Sequence, residues 1–256
     1  MFELIDFVIA ICLFFGAVLY TSVGHAGASI YIAIMSIFGL PVTTIKPTAL
    51  SLNIIVSSYT SYQYVKAKLY DMKLVIPLLI GAIPMAFIGG YINVPGDIYK
   101  PIIGLMLLYS SYRFISVKQH EEKEPKEYKF FYAVFTGGII GFLAGLTGTG
   151  GGIFLSPLII FAGWTTTKGA SGTAALFILA NSVFGLMGNI TSIKSVPMEL
   201  PLYALFALLG GIVGSRIGIH YFQHVGIKRI LGFVLLIASF KLIFVFLHAS
   251  SNSHGL

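Results

Sequence analysis

From Leu4 to Leu247 the sequence runs through one charge-poor apolar stretch after another, separated only by short polar breaks. A helix needs about 20 predominantly apolar residues to cross the hydrocarbon core of a bilayer, and only helices and closed barrels can satisfy their backbone there. Recurrence of such stretches excludes almost every soluble architecture. Composition agrees: 57% of the 256 residues are hydrophobic and 10% charged, against roughly 25% charged in soluble domains. The sequence therefore predicts an all-α integral membrane protein, multi-pass in the cell membrane, with the lipid bilayer as its solvent. The longest polar stretch is Arg113 to Lys129, too short for an appended catalytic domain. Glu3 and Asp6 stand where a signal peptide would carry Lys or Arg, so the first stretch reads as a retained helix. Cys12 is the only cysteine, which leaves no intramolecular disulfide and no thiol metal site. The net charge of +7 reads as loops held on the cytoplasmic side rather than as a nucleic-acid footprint.

Cutting at Gly, Pro and charged breaks gives ten apolar segments: Leu4 to Thr21, Ala28 to Leu40, Pro47 to Val65, Lys73 to Ile92, Ile98 to Ser116, Tyr128 to Leu146, Ile153 to Ala162, Gly169 to Ile190, Met198 to Ile217 and Val225 to Leu247. The second and seventh are short. At 1.5 Å per residue they fall well below the ~30 Å core. Each follows a glycine-rich break and reads as half of a discontinuous element.

The two halves resemble each other. Gly24-His25-Ala26-Gly27-Ala28 aligns with Gly148-Thr149-Gly150-Gly151-Gly152 at a shift of 124, and Gly39 with Gly163 at the same shift. After a one-residue slip, Thr48-Ala49 matches Thr173-Ala174, Ser57 matches Ser182 and Gly89 matches Gly214 at 125. Chance matching in a Gly- and Ala-rich chain is the competing explanation, but concordant shifts favour a duplicated five-segment unit, common in transporters. The expected layout is a first membrane repeat over 1–117, a cytoplasmic linker over 118–127 and a second repeat over 128–256. If segments one and two leave and return to one face, and six and seven do likewise, Lys and Arg divide twelve to four; isolated re-entrant loops would divide them ten to six. The positive-inside rule favours the first, with both termini outside and the second repeat inverted.

In inverted-repeat transporters the substrate site lies near the midplane, where half-helix N-termini present unpaired N–H groups and a positive dipole end. Thr147-Gly148-Thr149-Gly150-Gly151-Gly152 fits such a break: glycines reach φ > 0 and admit a ligand close to the backbone, and successive amides can point at one anion. A tight packing turn is the alternative. The first-half counterpart, with Gly24, His25, Gly27 and Ser29, favours the binding reading because polar residues recur there. A P-loop is excluded, since Ile153 and Phe154 stand where Lys-Ser/Thr belongs. Asn53 and Ser57 share a helix face, and Asn181 and Ser182 occur at similar depth in the other half. They line a cavity or act as hydrogen-bond glue between helices, as do Thr48 and Thr173. His25 is read either as a proton carrier, since imidazoles titrate near neutrality, or as a hydrogen-bonding residue at the break. Trp164 reads as an interfacial anchor.

The paired breaks, the run from Gly148 through Pro157 and Gly163 to Ala170-Ser171-Gly172-Thr173-Ala174, and the duplicated layout resemble the sulfite exporter TauE/SafE family of membrane permeases. That resemblance implies export of sulfite, organosulfonates or other small sulfur-containing anions. Ala26, Ala28 and Ser29 stand where a glycine run would match the family more closely. The expected protein is a secondary transporter of a small anion, with no enzymatic role, cofactor or metal. An anion channel or a membrane subunit of a larger complex is the alternative, and the sequence also allows a homo-oligomer. The residues expected to meet the substrate are Gly24, His25, Gly27, Ser29, Asn53, Thr147, Gly148, Thr149, Gly150, Gly151, Gly152, Thr173 and Asn181.

Overall fold

A computed structural model describes residues 3–116, 125–190 and 196–220, with positions 232, 233, 235–237, 239, 240 and 243. The expected linker at 118–127 and the tenth segment, Val225 to Leu247, lie largely outside the described residues. Among the described residues all regular structure is helical: α1 (Leu4–Thr21), α2 (Ala28–Ile37), α3 (Val42–Lys66), α4 (Met72–Tyr91), α5 (Gly96–Ile115), α6 (Phe130–Thr147), α7 (Gly152–Phe161), α8 (Thr167–Gly188) and α9 (Leu200–His220). Five of these, α1, α4, α6, α8 and α9, are long and apolar enough to cross a bilayer.

Local chemistry accounts for the boundaries. The Asp71 carboxylate accepts from Leu74 N–H to cap α4, and the Thr166 hydroxyl accepts from Gly169 N–H to cap α8. Glycines in the left-handed region, φ 109° at Gly27 and 81° at Gly151, precede α2 and α7. One expected boundary is corrected. Helix α3 begins at Val42 with Pro41 as its N-cap and runs through Pro47, which had read as its start. Pro47 is the sixth residue of α3, past the first turn, and it forfeits one intrahelical bond, to Thr43 O, without ending the helix. The shift moves Lys46 from a loop into the helix.

Packing inverts the soluble pattern. Large apolar side chains such as Phe15, Ile80, Phe135 and Leu205 are exposed on the outer surface, while Thr21, His25, Asn53, Thr147, Asn181 and Ser182 are buried. Lipid is as apolar as leucine, so helices associate through close backbone approach rather than hydrophobic exclusion. The pairs α4 with α6 and α1 with α9 show this. A Cβ on Gly137 would lie 2.1 Å from Leu78 O, and one on Gly214 would lie 2.1 Å from Val18 O. Between these pairs α3 packs on α8, and each also contacts a helix of the other half, α3 with α9 and α8 with α4.

The start of α6 and the end of α7 lie side by side. Lys126 N–H, before α6, donates to Gly163 O, after α7, at 2.7 Å, and the Tyr128 and Trp164 rings lie 5.6 Å apart. Described positions beyond residue 231 pack against α5, with Ser239 Oγ donating to Gly104 O at 2.9 Å.

Candidate functional site

The second break is a run of buried backbone with few internal partners. Gly148 (φ 81°) ends α6, its N–H donating to Ala144 O at 2.8 Å. Gly150 (φ 72°) and Gly151 (φ 81°) continue in the left-handed region, which favours glycine. The next intrahelical donors are Phe154 and Leu155, which both bond Gly151 O. The five consecutive amides from Thr149 to Ile153 thus find no acceptor among the described residues, although every residue from Thr147 to Ile153 is buried. Gly152 and Ile153 are the ordinary unpaired donors of a helix start, and Thr149, Gly150 and Gly151 add three more buried amides in succession. Thr147 Oγ1 donates to Leu143 O at 2.6 Å, which leaves Thr149 Oγ1 to donate to Thr147 Oγ1 at 3.0 Å.

The first break shares two of the left-handed positions and has more internal bonding. Gly24 (φ 83°) and Gly27 (φ 109°) are left-handed. The N–H groups of Gly24 and His25 bond Thr21 O and Tyr20 O, and the Ala28 amide donates to Asn53 Oδ1 at 3.0 Å. Ala26, Gly27, Ser29 and Ile30 keep amides with no acceptor among the described residues, and the buried Ser29 hydroxyl has no hydrogen-bond partner.

Side chains from α3, α7 and α8 lock the breaks together. Asn53 on α3 caps α2 through its oxygen, while its Nδ2 donates to Ser182 Oγ on α8 at 3.0 Å. Gly150 sits against that amide: a Cβ there would lie 2.3 Å from Asn53 Nδ2. His25 Nε2 lies 2.8 Å from Ser156 Oγ on α7, so the first break is hydrogen-bonded to the helix that starts at the second. Each break also rests on a helix of the opposite half. A Cβ on Gly24 would meet Ser171 Cβ at 2.5 Å, and one on Gly148 would meet Lys46 Cγ at 3.1 Å.

Eleven of the thirteen expected residues therefore lie in the two breaks or, in the case of Asn53, bridge them. The other two are held elsewhere. Thr173 accepts from Asp71 N–H at 3.3 Å in the loop between α3 and α4. Asn181 donates to Phe177 O at 3.0 Å on its own helix, and its Oδ1 is buried without a partner. Ser182, one residue on, is the one that meets Asn53.

The residues missed from sequence are Lys46, Ser156, Ser171 and Ile178. Ile178 covers the start of α7, its Cδ1 2.3 Å from where a Gly152 Cβ would stand. Asn53, its counterpart 125 residues earlier, caps the start of α2 instead. Lys46 is 7% exposed and donates from Nζ to Gly90 O (3.1 Å) and Ile92 O (3.3 Å). Its alignment with Ser171, again at 125, was the available signal. The N-terminal ends of α2 and α7 add partial positive charge, so the breaks offer donors and positive potential. The arrangement can hold an anion by hydrogen bonding.

Residues 8–242 match the family model described as "Sulfite exporter TauE/SafE". A probable membrane transporter protein of Sinorhizobium fredii is 35% identical over 239 residues, 92% of this chain and 97% of that protein. A probable membrane transporter protein of Methanocaldococcus jannaschii is 26% identical over 219 residues, 81% of each chain. No solved structure matches. With its apolar helices, its buried polar centre and a family match over nearly its whole length, the chain belongs to the sulfite exporter TauE/SafE family and is a multi-pass membrane transporter.

Proposed function

We propose that the protein is a secondary transporter exporting small sulfur-containing anions such as sulfite or organosulfonates, and that the anion is held at the two glycine breaks. The observation that carries this reading is the run of five buried amides from Thr149 to Ile153 without an acceptor. Successive amides at a helix N-terminus suit an oxyanion, whose several oxygens can each accept. Acidic residues support the same sign. Asp6 lies in the first turn of α1, Asp71 caps α4, Glu199 immediately precedes α9, and Glu127 lies just before α6. Transporters of cations and protons commonly keep a carboxylate at membrane depth.

The alternating-access frame is two inverted five-segment repeats, 1–117 and 128–256, with both termini outside. Left-handed glycines recur in register at Gly24 and Gly148, Gly27 and Gly151, and Gly39 and Gly163. Helices α2 and α7 have 10 residues each. Gly89 packs on Phe142 O as Gly214 packs on Val18 O, and both members of each pair are related by the shifts found in the sequence. Lys126 bonded to Gly163 supports counting α6 and α7 as one excursion from a single face.

The test is flux in proteoliposomes. Labelled sulfite and methanesulfonate are compared with monovalent and divalent metal cations, with and without ion gradients. Saturable, gradient-dependent anion flux is expected; cation flux without anion flux sinks the proposal, and unsaturable anion flux replaces the carrier with a channel.

A further inference from the structure

We infer that Lys46 supplies the fixed positive charge of the anion site at the second break, so that this break, rather than the first, selects for substrate charge. The inference rests on the reading that Gly148 to Gly152 hold an anion. Lys46 stands one turn into α3, is 7% exposed, and lays its stem on Gly148, with Cγ 3.1 Å from where a Cβ would be. Its ammonium bonds Gly90 O and Ile92 O, carbonyls at the end of α4, and no carboxylate pairs with it among the described residues.

Capping α4 accounts for part of this placement. The C-terminal ends of α4 and α6 both turn partial negative charge toward Lys46, which lowers the penalty of burying it. A neutral donor would serve the same carbonyls, however, without the several kcal/mol of desolvation that a buried ion costs when it lacks a counterion. Of three ammonium protons, two are used by the carbonyls. The break beside it carries five amides without acceptors, and an anion there would answer both deficits at once.

The two halves differ at this place. Ser171 occupies the position equivalent to Lys46, faces Gly24, and donates its hydroxyl to Val23 O at 3.2 Å. The first break therefore has a neutral neighbour, its Ala28 amide taken by Asn53 and its His25 engaged by Ser156. Charge selection is then asymmetric between the two breaks.

The experiment measures binding of thiosulfate, a dianion, and methanesulfonate, a monoanion, to purified wild type, Lys46→Gln and Lys46→Arg in detergent. Coulomb energy scales with ligand charge, and loss of a charge-assisted partner typically weakens binding tenfold to a hundredfold. Lys46→Gln is expected to lose about thirtyfold for thiosulfate and about the square root of that, roughly fivefold, for methanesulfonate, while Lys46→Arg keeps the wild-type ratio. A lysine that only caps α4 would lower substrate-free stability and leave the dianion-to-monoanion ratio unchanged, which overturns the inference. If Lys46→Gln does not fold, Lys46→His read at acid and alkaline pH against wild type makes the same comparison. Wild type that binds neither anion overturns the transport reading itself, and this inference with it.

Discussion

Replacing Gly150 tests whether the second break is a binding element or a turn, and the structure sets the magnitude. An alanine there must hold φ near 72°, which costs an L-residue about 1–2 kcal/mol. Its Cβ would also stand 2.3 Å from Asn53 Nδ2 and 3.2 Å from Ser182 Oγ, so Asn53 must swing away. That breaks its bond to Ser182 and loosens its cap on Ala28; a buried polar group left unpaired costs about 1–3 kcal/mol. Gly150→Ala should therefore destabilise by about 2–5 kcal/mol in total. Gly39 provides the control: its φ is 79°, yet nothing lies within 4 Å of its Cβ position, so Gly39→Ala should cost only the backbone term of about 1–2 kcal/mol. Unfolding in mixed micelles gives the stabilities, and anion binding to the same preparations gives function. Asn53→Ala completes a cycle. Because the clash and the lost bond share one side chain, the double variant should be about 1–2 kcal/mol more stable than additivity predicts. Equal stability losses at Gly150 and Gly39, with normal anion affinity in Gly150→Ala, would refute the role assigned to Asn53 and reduce the break to a turn.

Gly150→Val, which adds a branched side chain where the ligand approaches, should abolish anion uptake in protein that still inserts in the membrane; unchanged affinity counts against backbone binding. Gly214→Val, with a Cβ position 2.1 Å from Val18 O, should force α1 and α9 apart and lower stability by several kcal/mol, measured by unfolding in micelles, whereas a surface-like loss under about 0.5 kcal/mol would contradict the packing. Ser156→Ala removes the partner of His25 Nε2 and should change transport rate more than substrate affinity, because it frees one break from the other; unaltered rates would show the bond to be incidental. Single cysteines at Lys123 and near the C-terminus, labelled in intact cells with an impermeant reagent, should react only at the C-terminus, and labelling only at Lys123 reverses the proposed orientation.

Hydrophobicity and glycine content are local properties, and what depends on them was legible in the sequence. The expected first segment, Leu4 to Thr21, coincides with α1, and the short second and seventh segments start within one residue of α2 and α7. Left-handed backbone falls at Gly24, Gly27, Gly148, Gly150 and Gly151, as the breaks required. What faces what was decided only by tertiary structure. Lys46 read as a loop cation and is a buried residue of α3, because the helix runs through Pro47 instead of starting there. Asn53 meets Ser182 rather than Asn181, a choice set by the rotation of α8 about its own axis. Thr173, matched to Thr48 by the repeat, is taken by the loop between α3 and α4. Ser156 is joined to His25 across 131 residues of chain. A soluble helix advertises its inner face through one apolar stripe, but a membrane helix is apolar on nearly every side. Its sequence can therefore state that it spans the bilayer, while the face it turns inward is set by the glycines and hydroxyls of helices far away in the chain.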